Sequence, residues 1–95
     1  MAIKVIITRK VAKGKQKDLL PLLMELRLKA MNQKGYISGE TLKGISDPDE
    51  LMVISTWNSL EDWDVWDNNP VRGEIQAKID AILEEKTVAK AYLYG

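Results

Sequence analysis

The segment TWNSLEDWDVWDNNP, Thr56 to Pro70, decides how this chain folds. Up to Trp57 it completes a run of apolar and β-branched residues, Leu51 to Trp57, that reads as a strand. Asn58-Ser59 ends the strand. Ser59 with Asp62 resembles a capping box in which Asp stands for the usual Glu. Leu60, Trp63 and Trp66 then recur at i, i+3 and i+6 along a short helix, which Asp67-Asn68-Asn69-Pro70 breaks. Pro70 suits the first position of a following helix capped by Asn69. The chain has three Trp, all in this segment, and no Phe. Its largest rings are thus gathered at one strand-to-helix corner, which is either a core anchor or the wall of an apolar pocket.

On either side of this corner the pattern is simple. Ile3 to Thr8 reads as a strand, with Ile3, Val5 and Ile7 facing one way and Ile6 the other. Val11 to Lys17 is a polar connection centred on Gly14. Leu19 to Met31 reads as a helix whose stripe is Leu19, Leu22, Leu23, Leu26 and Ala30. Pro21 leaves two possible starts. With Asp18 as N-cap it falls in the first turn, where it is tolerated; with a start near Gly14 it must distort the helix. Gly35 to Lys43 reads as a second strand, in which Gly39 marks a bulge or a close backbone approach. Ser46-Asp47-Pro48-Asp49 is a turn. After Pro70, Val71, Ile75, Ile79 and Ile82 form an apolar stripe. Thr87 to Tyr94 is the last strand, with Val88, Lys90, Tyr92 and Tyr94 on one face and Ala89, Ala91 and Leu93 on the other.

The order β-α-β-β-α-β, with the second helix broken, predicts the ferredoxin-like split βαβ arrangement. This is an α+β sandwich: one domain over residues 1–95, with a four-stranded antiparallel sheet and helices on one face. The free face should then be polar. It is not, because Ile6 opposes Val5 and Ile7, and Met52 and Ile54 oppose Leu51 and Val53. Both faces read as buried, and the economical partner is a second copy, packed sheet to sheet about a two-fold axis.

Composition narrows the function. Fourteen Lys and Arg balance fourteen Asp and Glu, so nothing draws the chain electrostatically to nucleic acid or an anionic membrane. No apolar run approaches a membrane span, and MAIKVIITRK lacks the apolar core and cleavage site of a signal peptide. The expected location is cytoplasmic. There is no Cys and no His, which removes thiol chemistry, the usual neutral-pH base and the usual haem or metal ligand.

The element order, the Thr56 to Pro70 segment and a terminal strand ending in an aromatic residue together resemble the antibiotic biosynthesis monooxygenase family of dimeric α+β-barrel proteins. The resemblance covers nearly the whole chain. Members usually carry a strand ending in Trp, a short helix opening with Ser, and an aromatic nine positions on, which Trp57, Ser59 and Trp66 match. The resemblance implies a cavity in each subunit, between helices and sheet. It implies cofactor-independent oxygenation of a small planar phenol or quinol, with no cofactor or metal required of the protein. A haem-degrading branch uses an Asn on the first strand, the helical Trp, and a His ten positions after it. Here Ile7 and Gln76 stand at or near the first and last of these positions, and an amide is no substitute for an imidazole ligand.

The expected ligand contacts are Trp66, Trp63, Tyr36 and Arg72, and no residue is assigned a catalytic role. Each has a plainer reading. Trp66 and Trp63 suit a buried stripe, Trp57 an end-of-strand anchor, and Tyr36, Tyr92 and Tyr94 cross-strand packing. Asn58, Asn68 and Asn69 suit capping. Asp62, Asp64 and Asp67 span different helix faces and do not converge on a metal. Arg72 falls in the first turn of a helix, where a cation is mildly disfavoured, which makes it a candidate anion contact. The alternative to an oxygenase is a non-catalytic binding or interaction module on the same scaffold.

Overall fold

A computed structural model describes residues 1–95. The elements run β1 (Ile3–Val11), α1 (Gln16–Met31), β2 (Tyr36–Lys43), β3 (Glu50–Trp57), α2 (Leu60–Asp67), α3 (Pro70–Asp80) and β4 (Leu83–Leu93). The four strands form one antiparallel sheet in the order β2-β3-β1-β4. This is the expected ferredoxin-like α+β arrangement, with the helices on one face.

β1 sets the core. Its inward positions are Ile3, Val5, Ile7, Arg9 and Val11, all buried, in strict alternation with half-buried neighbours. The strand runs three residues beyond Thr8, where the sequence reading ended it, because Arg9 fills an inward position that an apolar pattern does not register. Ile3, Val5, Ile7 and Arg9 sit beside Trp57, Ser55, Val53 and Leu51 of β3. Onto this surface α1 presses Leu19, Leu23, Leu26 and Ala30.

The helix ends resolve several readings. α1 starts early, with Lys15 at the N-cap, so Pro21 lies inside the helix. Pro21 has no N–H to give the Lys17 carbonyl. Both residues are exposed, so water can take the place of that bond. In α2 the Ser59 hydroxyl accepts from the Asp62 N–H at 3.1 Å, and in α3 the Asn69 side chain accepts from the Val71 N–H at 2.8 Å, with Pro70 in the first turn.

Two predicted stripes change. Leu60 is exposed, so α2 buries only Trp63 and Trp66. In α3, Val71 is exposed and Ile82 lies beyond the helix; Arg72, Ile75 and Ile79 form the buried stripe. Asp67 beside the Arg72 guanidinium makes that burial possible.

β4 is the largest departure. It begins at Leu83, four residues before the expected start, and both its faces are open over Val88 to Leu93. Ala89, Ala91 and Leu93 do face the helix side, beside Ile7, Val5 and Ile3, but α3 reaches β4 only as far as Thr87 and leaves this stretch exposed. The opposite sheet face carries Ile6, Met52 and Ile54, which are half-buried, with Leu42, Val88 and Tyr92 roughly half exposed around them.

Gly35 closes the α1–β2 turn with φ +86°. Its carbonyl accepts from the Asn58 N–H at 2.8 Å, which ties the turn to the end of β3. A Cβ there would run into the Asp62 side chain. Gly14 also has positive φ but open space around it. Gly35→Ala should therefore lose about 1–2 kcal/mol for the left-handed backbone plus the displacement of Asp62, and Gly14→Ala only the first. Urea midpoints of the two variants measure the difference; equal losses would contradict the Asp62 contact.

Candidate functional site

The Trp corner holds both roles considered for it. Trp57, 1% exposed, is the anchor: its Nε1 donates to Ser55 Oγ at 3.1 Å. Tyr36 meets it edge-on at 5.4 Å between ring centroids, and Trp63 does so at 5.7 Å. Beside this trio lies a cavity between helices and sheet. Its inner wall is Trp63, Trp66, Ile7, Val53 and Leu26, and its mouth is Arg27, Tyr36, Gly39 and Thr41, on the α1–β2 side. All four residues singled out from the sequence, Trp66, Trp63, Tyr36 and Arg72, border it.

The cavity holds about 60 Å³. That is roughly the share of two waters and less than half of the ~150 Å³ apolar cavity that accepts benzene. A ring enters only if side chains at the mouth swing outward. Arg27 and Tyr36 are half-buried and Thr41 is exposed, so the freedom to do so lies on that side.

A bulge in β2 shapes the mouth. Tyr36 pairs with Trp57, but Ser38 rather than Ile37 pairs with Thr56. The extra residue brings Tyr36 and Gly39, three positions apart, onto the same sheet face. A Cβ at Gly39 would stand 2.7 Å from the Tyr36 hydroxyl and 3.7 Å from Arg27 Nη2. Both alternatives for Gly39, bulge and close approach, describe one device: the bulge turns it inward, and the missing side chain leaves room for Tyr36.

The sequence reading missed Arg9 and Arg27. Arg9 had a usable signal, since it continues the Ile3-Val5-Ile7 alternation and is followed by Val11. Arg27 lies four residues after Leu23, on the flank of the α1 stripe. With Arg72 they make three arginines that line a cavity bordered by no Asp or Glu. Arg72 Nη1 is 3.3 Å from Asp67 Oδ1, and its guanidinium lies 5.4 Å from the centre of the Trp63 ring. Arg9 has a neutral partner: its Nη2 donates to Gln76 Oε1 at 3.0 Å. Gln76 Nε2 donates in turn to Asp80 Oδ1 at 2.8 Å and Thr87 Oγ1 at 3.1 Å. Gln76 does not border the cavity.

The electrostatics follow. Burial, and then the Arg72 charge, push the Arg9 guanidinium down to about 10, against an upward pull from Asp80. Burial also lowers Arg72, opposed by Asp67 and Asp80. At neutral pH Arg9 is still a cation, held at a cost. For a base with a depressed folded-state value the cost is present in full below that value, and it fades as pH rises from about 10.

No group of three His, Cys, Asp or Glu side chains is placed to hold a metal ion. No helix is long and apolar enough to cross a membrane.

Comparison with known proteins gives a consistent answer. The sequence profile of antibiotic biosynthesis monooxygenase matches residues 2–78. A conserved protein from Methanosarcina mazei Go1 superposes with TM-score 0.90 at 20% identity, over 97% of this chain and 91% of that one. SnoaB, a cofactor-independent oxygenase from Streptomyces nogalater, superposes with TM-score 0.89 at 10% identity, over 99% and 93%. Rv0793 from Mycobacterium tuberculosis gives 0.88 at 15%, over 99% and 95%. At these identities the likeness is one of fold. The search of curated protein sequences gave no match.

The cost of Arg9 can be measured. A depression to about 10 corresponds to roughly 3 kcal/mol at neutral pH, partly offset by the bond to Gln76. Arg9→Met keeps the length and removes the charge. Its thermal midpoint at pH 7 should rise by about 4–8 °C, with the gain shrinking at pH above about 10. A midpoint below that of the unsubstituted protein would show that the guanidinium is a net stabiliser.

Proposed function

Because the chain belongs to the antibiotic biosynthesis monooxygenase family, we propose that its helix–sheet cavity binds a small planar phenol or quinol and promotes its oxygenation without a cofactor. The observation that carries this reading is that Trp63 and Trp66, both buried, line a cavity also bordered by Tyr36, whose hydroxyl stands close to Gly39. Indole faces give a flat apolar seat, and a polar tip at the mouth orients a ring oxygen.

The chemistry suits a chain without His or Cys. In its keto tautomer such a phenol has a ring carbon bearing two hydrogens, and that CH2 can react with O2 to give a C=O group and one water. The substrate supplies all four electrons, so the protein needs no redox group. Its tasks are to hold the ring, exclude water and stabilise the anion formed when the carbon loses a proton. Arg9, Arg27 and Arg72 supply positive charge around that space. Tyr36 orients the ring through its hydroxyl, and no residue serves as a dedicated base.

The same reading includes a homodimer joined through the sheet faces. Ile6, Met52 and Ile54 have no layer above them, and β4 is open on both sides. A second copy packed on this face would cover the apolar patch and shield a long edge strand. Nucleic acid and membrane are not part of this proposal, and a cytoplasmic setting is.

Two measurements test these statements. Oxygen uptake with a panel of anthrones and quinols should exceed the protein-free rate, and Trp66→Ala should lower the excess about tenfold or more, consistent with loss of a positioning contact. Tryptophan quenching by the same compounds without oxygen uptake would favour a binding module instead. Light scattering should give twice 10.8 kDa, and Ile54→Asp should shift the mass to one copy. A native mass of one copy would remove the dimer.

A further inference from the structure

We propose that the ligand carries a carboxylate, and that Arg9 and Arg27 are its seat. This deepens the cavity reading above and rests on it. Two buried donor atoms in the protein have no acceptor: Arg9 Nε and Arg27 Nη2. Both belong to residues that border the same cavity. Buried donors are nearly always satisfied, and leaving one without a partner is costly. Two such donors on charged groups at one cavity indicate an absent acceptor.

The charge balance points the same way. Of the three arginines, Arg72 has Asp67 at 3.3 Å. Arg9 hydrogen-bonds the neutral Gln76, with Asp80 acting from beyond it, and Arg27 makes no ion pair. No acidic residue borders the cavity to neutralise them. A neutral ligand, or water alone, could accept hydrogen bonds but would leave the positive charge uncompensated in a partly dry site. A carboxylate does both, and its two oxygens can serve more than one donor at once.

The mouth shows how such a ligand would lie. Arg27 Nη2 and the Tyr36 hydroxyl both approach the bare Cα of Gly39. Arg27 Nη2 is shut off from solvent, so a carboxylate gains it as a donor when the Arg27 side chain swings outward to admit the ring, which then lies toward Trp63 and Trp66. The ligand class is therefore an aromatic acid, and for the oxygenase reading a hydroxylated one. The carboxylate fixes the ring's orientation, a task that indole faces alone cannot perform.

The test uses benzoate and methyl benzoate, which match in shape at the ring and differ in charge. Neither is readily oxidised, so binding is read apart from turnover. The readout is the three indole N–H signals in a ¹⁵N–¹H correlation spectrum, titrated at low ionic strength. Benzoate should move the Trp63 and Trp66 signals and bind at least about tenfold more tightly than the ester. Arg27→Gln and Arg9→Gln should each remove most of that preference, because the acid loses more affinity than the ester. Equal affinity for acid and ester would overturn the carboxylate seat and leave the apolar cavity standing. So would an acid preference that survives in both variants, since the seat would then lie elsewhere. If neither compound moves any indole signal, the cavity reading falls and the seat falls with it.

Discussion

Trp57 is the contact on which the rest of the structure turns. It is the last residue of β3, and three separate pieces of the chain meet at it. Its backbone sits beside Ile3 of β1 and Tyr36 of β2. Its ring meets Trp63 from α2 and Tyr36 from the start of β2. Its indole N–H is spent locally on Ser55, so the ring is buried without an unmet donor. The next residue, Asn58, bonds back to Gly35 at the end of the α1–β2 turn. The β2 side of the cavity mouth is thus placed relative to one ring. The bulge that turns Gly39 inward starts from the Tyr36–Trp57 pair.

The cavity is unusual less for its aromatics than for its charge. Trp63 and Trp66 are as buried as core residues and also form its wall, so the choice between core and pocket does not arise for them. The arginines differ. A small domain has little stability to spare, and Arg9 would be more comfortable as an aliphatic residue at an inward strand position. Holding a cation there makes sense when the cation has something to hold. The same argument applies to Gln76, which accepts from Arg9 while both its donors go to Asp80 and Thr87. That network fixes the Arg9 side chain from behind and leaves its Nε free.

Much of the architecture was legible because it rests on apolar periodicity and caps. The alternation Ile3-Val5-Ile7, the stripe Leu19-Leu23-Leu26-Ala30, and the Ser59 and Asn69 caps each state their structure locally. What could not be read has a common cause. Arg9 and Arg72 occupy buried positions that a hydrophobic pattern assigns to solvent, so β1 looked too short and Val71 took the place of Arg72 in the α3 stripe. Leu60 and β4 failed in the opposite sense: their apolar residues were read as buried, and in one copy they are open. The early start of α1 overrode Pro21 because both Pro21 and Lys17 face water. Of the cavity lining, Trp63, Trp66, Tyr36 and Arg72 stood out from their positions in the sequence. Arg27 and the role of Gly39 depend on how α1 lies over the β2 bulge, which no local pattern encodes.

The sheet order has a consequence for how the chain reaches this structure. β1 lies between β3 and β4, and Ile3 pairs with both Trp57 and Leu93. Its neighbours along the sheet are therefore distant along the chain, by about 90 residues in the second case. Only β2 and β3 pair across a short loop. Folding must close a long loop for each partner that β1 gains, a topology of high contact order and correspondingly slow folding. The β2–β3 hairpin, with Trp57 at its end, is the one part of the sheet that can form early, so the aromatic corner is also the natural nucleus onto which the two ends of the chain condense.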